Sequence, residues 1–347
     1  MVQHFPALNR PPAPECSVCI ANYNGEQILA DCLDSVLAQR GALSIEIIVH
    51  DDASSDGSVA FLRERYPQVE LLVSDENVGF CVSNNRMVAH ARGKYVLLLN
   101  NDAALFSDAL AALFDAARAQ EPPGILTLPQ YDWETGELVD RGCLLDIFYN
   151  PVPNLDANRR GVAYGIGACL ILPRALWTEL GGFPEWFGSM AEDMYLCCLA
   201  RLRGLPVGVT PVSGYRHRQG KSFGGNRVDA GKLNTTYRRR CLSERNKTAV
   251  MVVCTPSWLV WPLLVLHFAS LAAEGTVFSV LKKDPRLWRE IYGPALSYIL
   301  SAPGSLRARR KQAQSMRHIR LRAYFSAFVA MPRKFVLLHR HGIPDVR

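Results

Sequence analysis

The chain has 347 residues, 49% hydrophobic and 20% charged, which excludes a disordered polypeptide and allows two domains or one domain with an appendage. Its formal charge of +7 is uneven: residues 307–322 hold seven basic side chains and no acidic one, whereas Glu15 to Asp115 is rich in carboxylates. The basic stretch is therefore the part expected to seek phosphates, on anionic lipid or on nucleic acid. The opening MVQHFPALNRPPAPEC lacks the basic start, apolar core and cleavage site of a secretory signal, so a cytosolic body is expected. The ten cysteines are scattered through apolar runs, which suits buried thiols in a reducing compartment.

Ser17 to Asn22 reads as a first strand, and Glu26 to Gln39 as an amphipathic helix with Ile28, Leu29, Cys32, Leu33, Val36 and Leu37 at helical spacing. Ile45 to Val49 is a second strand running into His50, Asp51 and Asp52. Ser54 to Ser58 supplies turn and cap residues for a helix from Val59 to Arg65, and Val69 to Val73 is a third strand. After the Asn77–Phe80 loop, a helix from Ser83 to Ala91 leads to the apolar run Tyr95–Leu99, a central strand that stops in Asn100, Asn101 and Asp102. This alternation predicts an α/β fold, a mostly parallel sheet covered by helices on both faces. Ligands of such sheets bind beyond the carboxyl ends of the strands, where Asp52 and Asp102 fall on one edge. An Asp there can hold a hard divalent cation on a diphosphate, or simply close an Asx turn. No G-x-G-x-x-G opens the crevice, which disfavours a nicotinamide dinucleotide.

Residues 121–160 read as irregular excursions with Tyr131, Trp133, Phe148 and Tyr149 interspersed, suited to an acceptor rim or to ordinary packing. Val162 to Leu172 is a further buried strand-like run in which Gly165 and Gly167 permit close approach. A helix from Pro173 to Leu180 and the turn Gly181–Phe187 follow. Ala191, Glu192 and Asp193 then open a helix through Arg203, where the two acids on their own read as capping residues. His217 alone reads as a core or surface histidine. Gly220-Lys221-Ser222 imitates the end of a P-loop, but the spacing to Gly214 is wrong by one.

Thr248 to Ala273 carries no formal charge and is long enough to span a bilayer, yet Pro256 and Pro262 interrupt it, Trp258 and Trp261 suit an interface, and both flanks are basic. A monotopic or interfacial segment is expected, with a true span second and a buried helix as the plain alternative. A second run, Ile291 to Ala302, is too short to span, and the stretch from Arg307 would then lie against anionic headgroups.

The segments SVCIANYNGEQILADCLDSVLAQ, IIVHDDASSDGS and NVGFCVSNNRMVAHARGKYVLLLNNDA, with GACLILPRALWTELGGFPEWF followed by ED, resemble family 2 glycosyltransferases of the GT-A fold, particularly the bacterial rhamnosyltransferase-like branch. The resemblance covers about Cys16 to Gly225. It implies a nucleotide-sugar donor contacted by Asn22, Asp52, Gly79, Asn85, Asn101 and Asp102, with Asp52 on the base. It implies a Mn²⁺ or Mg²⁺ ion on Asp102, with Asn100 and Asn101 replacing acids of other members and His217 supplying a further ligand. It makes Asp193 the catalytic base, and puts Glu192, Arg216 and Ser222 near the acceptor or on the loop over the site.

The expected layout is an N-terminal extension (1–15), a GT-A domain (16–240, divided at 120 into donor and acceptor halves) and a helical, membrane-associating region (241–347). The expected reaction is inverting transfer of rhamnose or a similar sugar to a lipid-linked saccharide or glycan, on the cytoplasmic face of the inner membrane. Nucleic acid is not an expected partner, because the basic tail adjoins apolar helices rather than an aromatic platform. A nucleotidyltransferase is disfavoured because Asn22-Tyr23-Asn24-Gly25 is no Gly-rich, Arg-containing phosphate loop. A catalytically inactive binding protein is the remaining alternative.

Overall fold

The structure is a computed structural model that describes residues 1–41, 43–219, 225–229 and 232–347. These fall into two compact units: residues 1–142, 153–197 and 205–218, and residues 143–152, 198–204 and 219–347.

The first unit carries strands β1 (Val2–Phe5), β2 (Cys16–Asn22), β3 (Ile45–Asp51), β4 (Glu70–Ser74), β5 (Tyr95–Asn100), β6 (Ala103–Leu105), β7 (Ile125–Thr127), β8 (Gln130–Asp132) and β9 (Leu138–Asp140). Two short strands, β10 (Cys143–Asp146) and β11 (Pro151–Pro153), precede β12 (Cys169–Pro173), β13 (Val207–Val209) and β14 (Tyr215–His217). An eight-stranded sheet runs in the order β1-β4-β3-β2-β5-β12-β7-β13. Its centre, β4-β3-β2-β5, is parallel. Helices α1 (Glu26–Leu37), α2 (Ser58–Arg65), α3 (Phe80–His90) and α4 (Ala109–Ala119) connect these strands. Val96, Leu97, Leu98 and Leu99 of β5 are all buried, as a strand covered on both faces requires. Each such aliphatic side chain contributes about 1.5–3 kcal/mol through burial.

Three features depart from the sequence reading. The N-terminal segment contributes β1, which pairs antiparallel with β4 at the sheet edge. The apolar run expected as one strand over Val162–Leu172 is strand only from Cys169, and it is antiparallel to both β5 and β7. Residues upstream of it are drawn elsewhere, with Val162 N–H donating to Val207 O. The third departure is in the second unit. The apolar stretch breaks at Pro256 as expected, with α7 (Tyr237–Cys254) ending before it, but not at Pro262, which sits in the first turn of α8 (Val260–Leu281), where its missing N–H costs no helical bond.

A smaller sheet in the first unit, β6-β14-β8-β9, places the site. β14 is antiparallel to β6 with His217 opposite Ala103, and parallel to β8 with Tyr215 opposite Gln130. Helices α5 (Arg174–Leu180) and α6 (Glu192–Leu202) follow β12.

In the second unit α7 buries an ion network. Glu244 pairs with Lys247 at 3.3 Å and Lys334 at 2.9 Å, and Glu274 pairs with Lys334 at 2.6 Å. Burial opposes ionisation of Glu244, but the charges of Lys247, Lys334 and Arg240 overcome it and hold the carboxyl well below its usual range. Arg310, on α10 (Pro303–Ser315), donates to Val252 O and Thr255 O at 2.7 Å, satisfying carbonyls at the end of α7. Residues Ser257–Leu281 are long and apolar enough to cross a membrane, with mean hydropathy 1.6. Trp258, Trp261, Val265 and Leu266 there are exposed.

Candidate functional site

The parallel register sets Asn22 opposite Asp51 and Ala21 opposite Asn100, so three strands end side by side. Asn22 bridges them. Its Nδ2 donates to Asp51 Oδ2 and its Oδ1 accepts from Asn101 Nδ2, both at 2.8 Å. Gly25 packs on this amide pair, and a Cβ there would lie 2.1 Å from Asn22 Oδ1 and 2.5 Å from Asn101 Nδ2.

Asp52, buried just past β3, accepts from Val78 N–H and Gly79 N–H, each at 2.8 Å. It thereby fixes the loop that enters α3, where Gly79 has φ of +88°. Each carboxylate oxygen keeps a lone pair for a ligand. Asn85 exchanges hydrogen bonds with the Phe183 backbone, donating to its O and accepting from its N at 2.9 Å, and it donates to Glu185 at 3.1 Å.

Beyond β5, Asp102 is buried with Oδ1 3.1 Å from His217 Nε2. The β6–β14 pairing brings them together across 115 residues, and Arg218 N–H donates to Asp102 O. Gln130 Oε1 accepts from Tyr215 Oη at 2.7 Å and lies 3.2 Å from His217 Nδ1. An amide oxygen can only accept, which puts a proton on Nδ1, while Nε2 lies 3.5 Å from Asn100 Nδ2 and faces the Asp102 carboxylate. Such a contact needs a proton or a cation between the two groups. Among the described residues, Asp102 Oδ2 and Asn100 Oδ1 are also buried without a hydrogen-bond partner. Two orphaned oxygens beside an imidazole nitrogen, itself oriented by an outer hydrogen bond, form a donor set that fits a divalent ion.

Asp193 sits in the first turn of α6, after Met190 and Ala191, which have φ of +75° and +64°. Two successive non-glycine residues in the left-handed region are a costly way to start a helix, of the kind that recurs at functional sites. Asp193 Oδ2 accepts from Gly167 N–H at 2.9 Å and Oδ1 from Met194 N–H at 2.6 Å. Burial outweighs those bonds and pushes its carboxyl up to about 6. The neighbour of Gly167 completes a link, since Ala168 O accepts from Asn100 N–H at 3.0 Å. The carboxylate of α6 and the polar end of β5 are thus held by adjacent residues of one loop.

Glu192 is buried beside Asp193, and Arg216 points outward from β14. Ser222 and Lys221 lie outside the described residues. Arg218 stacks on Trp133, 3.7 Å from the ring centroid, and pairs with Asp31. Sequence reasoning missed Gln130 and Tyr215 as the groups that orient His217, and no local motif signals them. It named Asn100 only as a replaced acid, although its amide oxygen can itself be a ligand.

The family model described as glycosyl transferase family 2 matches residues 17–162. The succinoglycan biosynthesis protein ExoO of Rhizobium meliloti (strain 1021) is 31% identical over 115 residues, covering 33% of this chain and 32% of that protein. The poly(ribitol-phosphate) beta-glucosyltransferase of Bacillus spizizenii is 26% identical over 200 residues, covering 56% of this chain and 30% of that protein. The chain thus matches less than a third of the length of each of these relatives. The mannosyltransferase PcManGT from Pyrobaculum calidifontis, solved with GDP-Man and Mn²⁺, is similar at a TM-score of 0.50 and 18% identity, covering 92% of this chain and 88% of that one. At that identity the likeness establishes the fold.

Proposed function

We propose that the chain, which matches the glycosyl transferase family 2 model over residues 17–162, moves a sugar from a nucleotide-sugar donor to a glycan or lipid-linked saccharide with inversion. The carrying observation is the cluster at the end of β5: the partnerless Asp102 Oδ2 and Asn100 Oδ1, with His217 Nε2 against Asp102. These three groups would hold a Mn²⁺ or Mg²⁺ ion. Bound there, the ion supplies charge neutralisation for the departing diphosphate.

The other steps belong to the chain's own residues. Asp52 and the loop it fixes offer the crevice wall for the nucleotide base. The Asn22–Asn101 pair keeps the strand ends in register beneath the diphosphate. Asp193, ionised at neutral pH yet more basic than an ordinary carboxylate, takes the acceptor hydroxyl proton as that oxygen bonds to the anomeric carbon. The bond from that carbon to the diphosphate oxygen breaks in the same displacement, and the proton rests on Asp193.

The sugar is rhamnose or a close relative by the resemblance of the strand-end motifs, and the setting is surface polysaccharide synthesis. Exposed Trp258, Trp261, Val265 and Leu266, with the basic helix α10, support attachment to the cytoplasmic face of the membrane and hence a lipid-linked acceptor. Asn100 and Asn101, amides in place of acids, favour one second reading, a protein that binds nucleotide sugars without turning them over.

Product formation separates the two readings. Purified chain, Mn²⁺, a panel of dTDP-, UDP- and GDP-sugars and bacterial lipid-linked saccharide should yield a glycosylated lipid and free nucleoside diphosphate from one donor. Donor binding with no turnover on any acceptor would establish the second reading instead.

A further inference from the structure

Away from the strand-end crevice, three side chains from three elements converge at the outer edge of the main sheet. His4 lies on β1, Glu70 opens β4 and His90 closes α3. His4 Nε2 is 2.6 Å and His90 Nε2 2.7 Å from the same atom, Glu70 Oε1. The rings meet edge-on with centroids 4.8 Å apart. Glu70 is buried and its other oxygen accepts from Ala7 N–H at 3.0 Å, so the carboxylate is held with Oε1 toward the histidines.

Ordinary hydrogen bonding accounts poorly for this convergence. Arg10 Nη1 also lies 3.0 Å from Glu70 Oε1, which places three donors on one oxygen. Arg10 has another carboxylate within reach, Glu46 Oε2 at 3.4 Å, so it can leave without losing an ionic partner. The imidazole nitrogens have no such alternative among the described residues.

We propose that His4, Glu70 and His90 form a binding site for a divalent transition-metal ion of the zinc class, with solvent completing its coordination. Two imidazole nitrogens and one carboxylate oxygen are a donor set that such ions favour and Mg²⁺ does not. Metal–ligand bonds of about 2.0–2.1 Å put tetrahedral ligands about 3.3 Å apart, so each N···O distance must widen by about 0.6 Å and the two imidazole nitrogens, now within 4.8 Å of each other, must come to the same spacing. The two histidine side chains are 40% and 31% exposed, which leaves room for that adjustment. The ion would tie β1 to β4 and α3, closing the edge of the sheet. The site shares no residue with the Asp102–His217 cluster.

The test uses the full chain carrying Asp102→Ala, which removes a ligand of the other cluster, stripped with a chelator. Zn²⁺ is titrated by calorimetry and Co²⁺ by visible absorption. One saturable equivalent is expected, together with a rise in the melting temperature. His4→Gln and His90→Gln should each weaken binding at least tenfold, and Arg10→Gln should tighten it, a gain that a purely hydrogen-bonded cluster would not show. Melting of the metal-free variants reports whether β1 stays folded. No saturable binding, or the same affinity in the His4→Gln/His90→Gln double variant, would overturn the proposal.

Discussion

His217 faces Asp102 with one ring nitrogen at 3.1 Å and Gln130 with the other at 3.2 Å, so a single imidazole joins the polar end of β5 to a neighbouring sheet. Gln130 touches neither donor nor acceptor in this account; it positions His217. Replacing it with Leu keeps most of the volume and frees the ring. Gln130→Leu should therefore weaken Mn²⁺ affinity by about 10- to 100-fold, the usual effect of losing an outer hydrogen bond to a metal ligand. Manganese titration followed by water-proton relaxation would read this directly, and unchanged affinity would remove Gln130 from the site.

Asp193→Asn preserves shape and one of the two backbone hydrogen bonds, since only its amide oxygen accepts, and it cannot take the acceptor proton. Transfer should fall by about 10²- to 10⁴-fold with donor affinity kept. In the native chain kcat/KM should rise with pH through a midpoint near 6, because burial pushes the Asp193 carboxyl up to about 6 and only its ionised form is a base. The variant's residual rate should lose that inflection. A full pH–rate series on both proteins checks the assignment.

Gly25→Ala is a small change in the wrong place. Its Cβ would lie 2.1 Å from Asn22 Oδ1, an atom pinned by its bond to Asn101. Either the amide bridge opens or the start of α1 shifts, at a cost of about 1–3 kcal/mol. Chemical denaturation should show that loss, and donor affinity should drop with it. Normal stability would mean that the strand ends are looser than the hydrogen bonds indicate.

Asp140, on β9, is buried, and its Oδ1 accepts from Gly142 N–H at 2.9 Å. Burial raises its carboxyl to about 6 against that bond. The native state therefore keeps a proton that the unfolded chain releases near 3.8, so stability falls as pH rises from there to about 6 and stays lower above it. Asp140→Asn should remove this slope and stabilise the chain at pH 7 by about 1–3 kcal/mol. Asp193 contributes a slope of the same sign, so the variant should flatten the profile without abolishing it. Melting temperatures at pH 4.5 and 7 decide the matter.

Much of the sheet was legible because strands such as Tyr95–Leu99 are apolar without interruption and end abruptly in Asn and Asp. Asp102 and His217 were named from the family resemblance, and the fold brings them together. The direction of β12 was not legible, since an apolar run has the same pattern whichever way it enters a sheet. Nor was β1, whose residues Val2–Phe5 show no strand pattern of their own and pair with β4. Gln130 escaped for the same reason, as strand register rather than local spacing brings it to Tyr215 and His217.

Donor binding through the cluster at the end of β5 is the central claim. The most direct measurement is calorimetric titration of the native chain and Asp102→Ala with dTDP-, UDP- and GDP-sugars, with Mn²⁺ and with chelator. Saturable binding of one donor, requiring the metal and weakened at least a hundredfold by the substitution, is expected. Equal binding with chelator, or in Asp102→Ala, would contradict it.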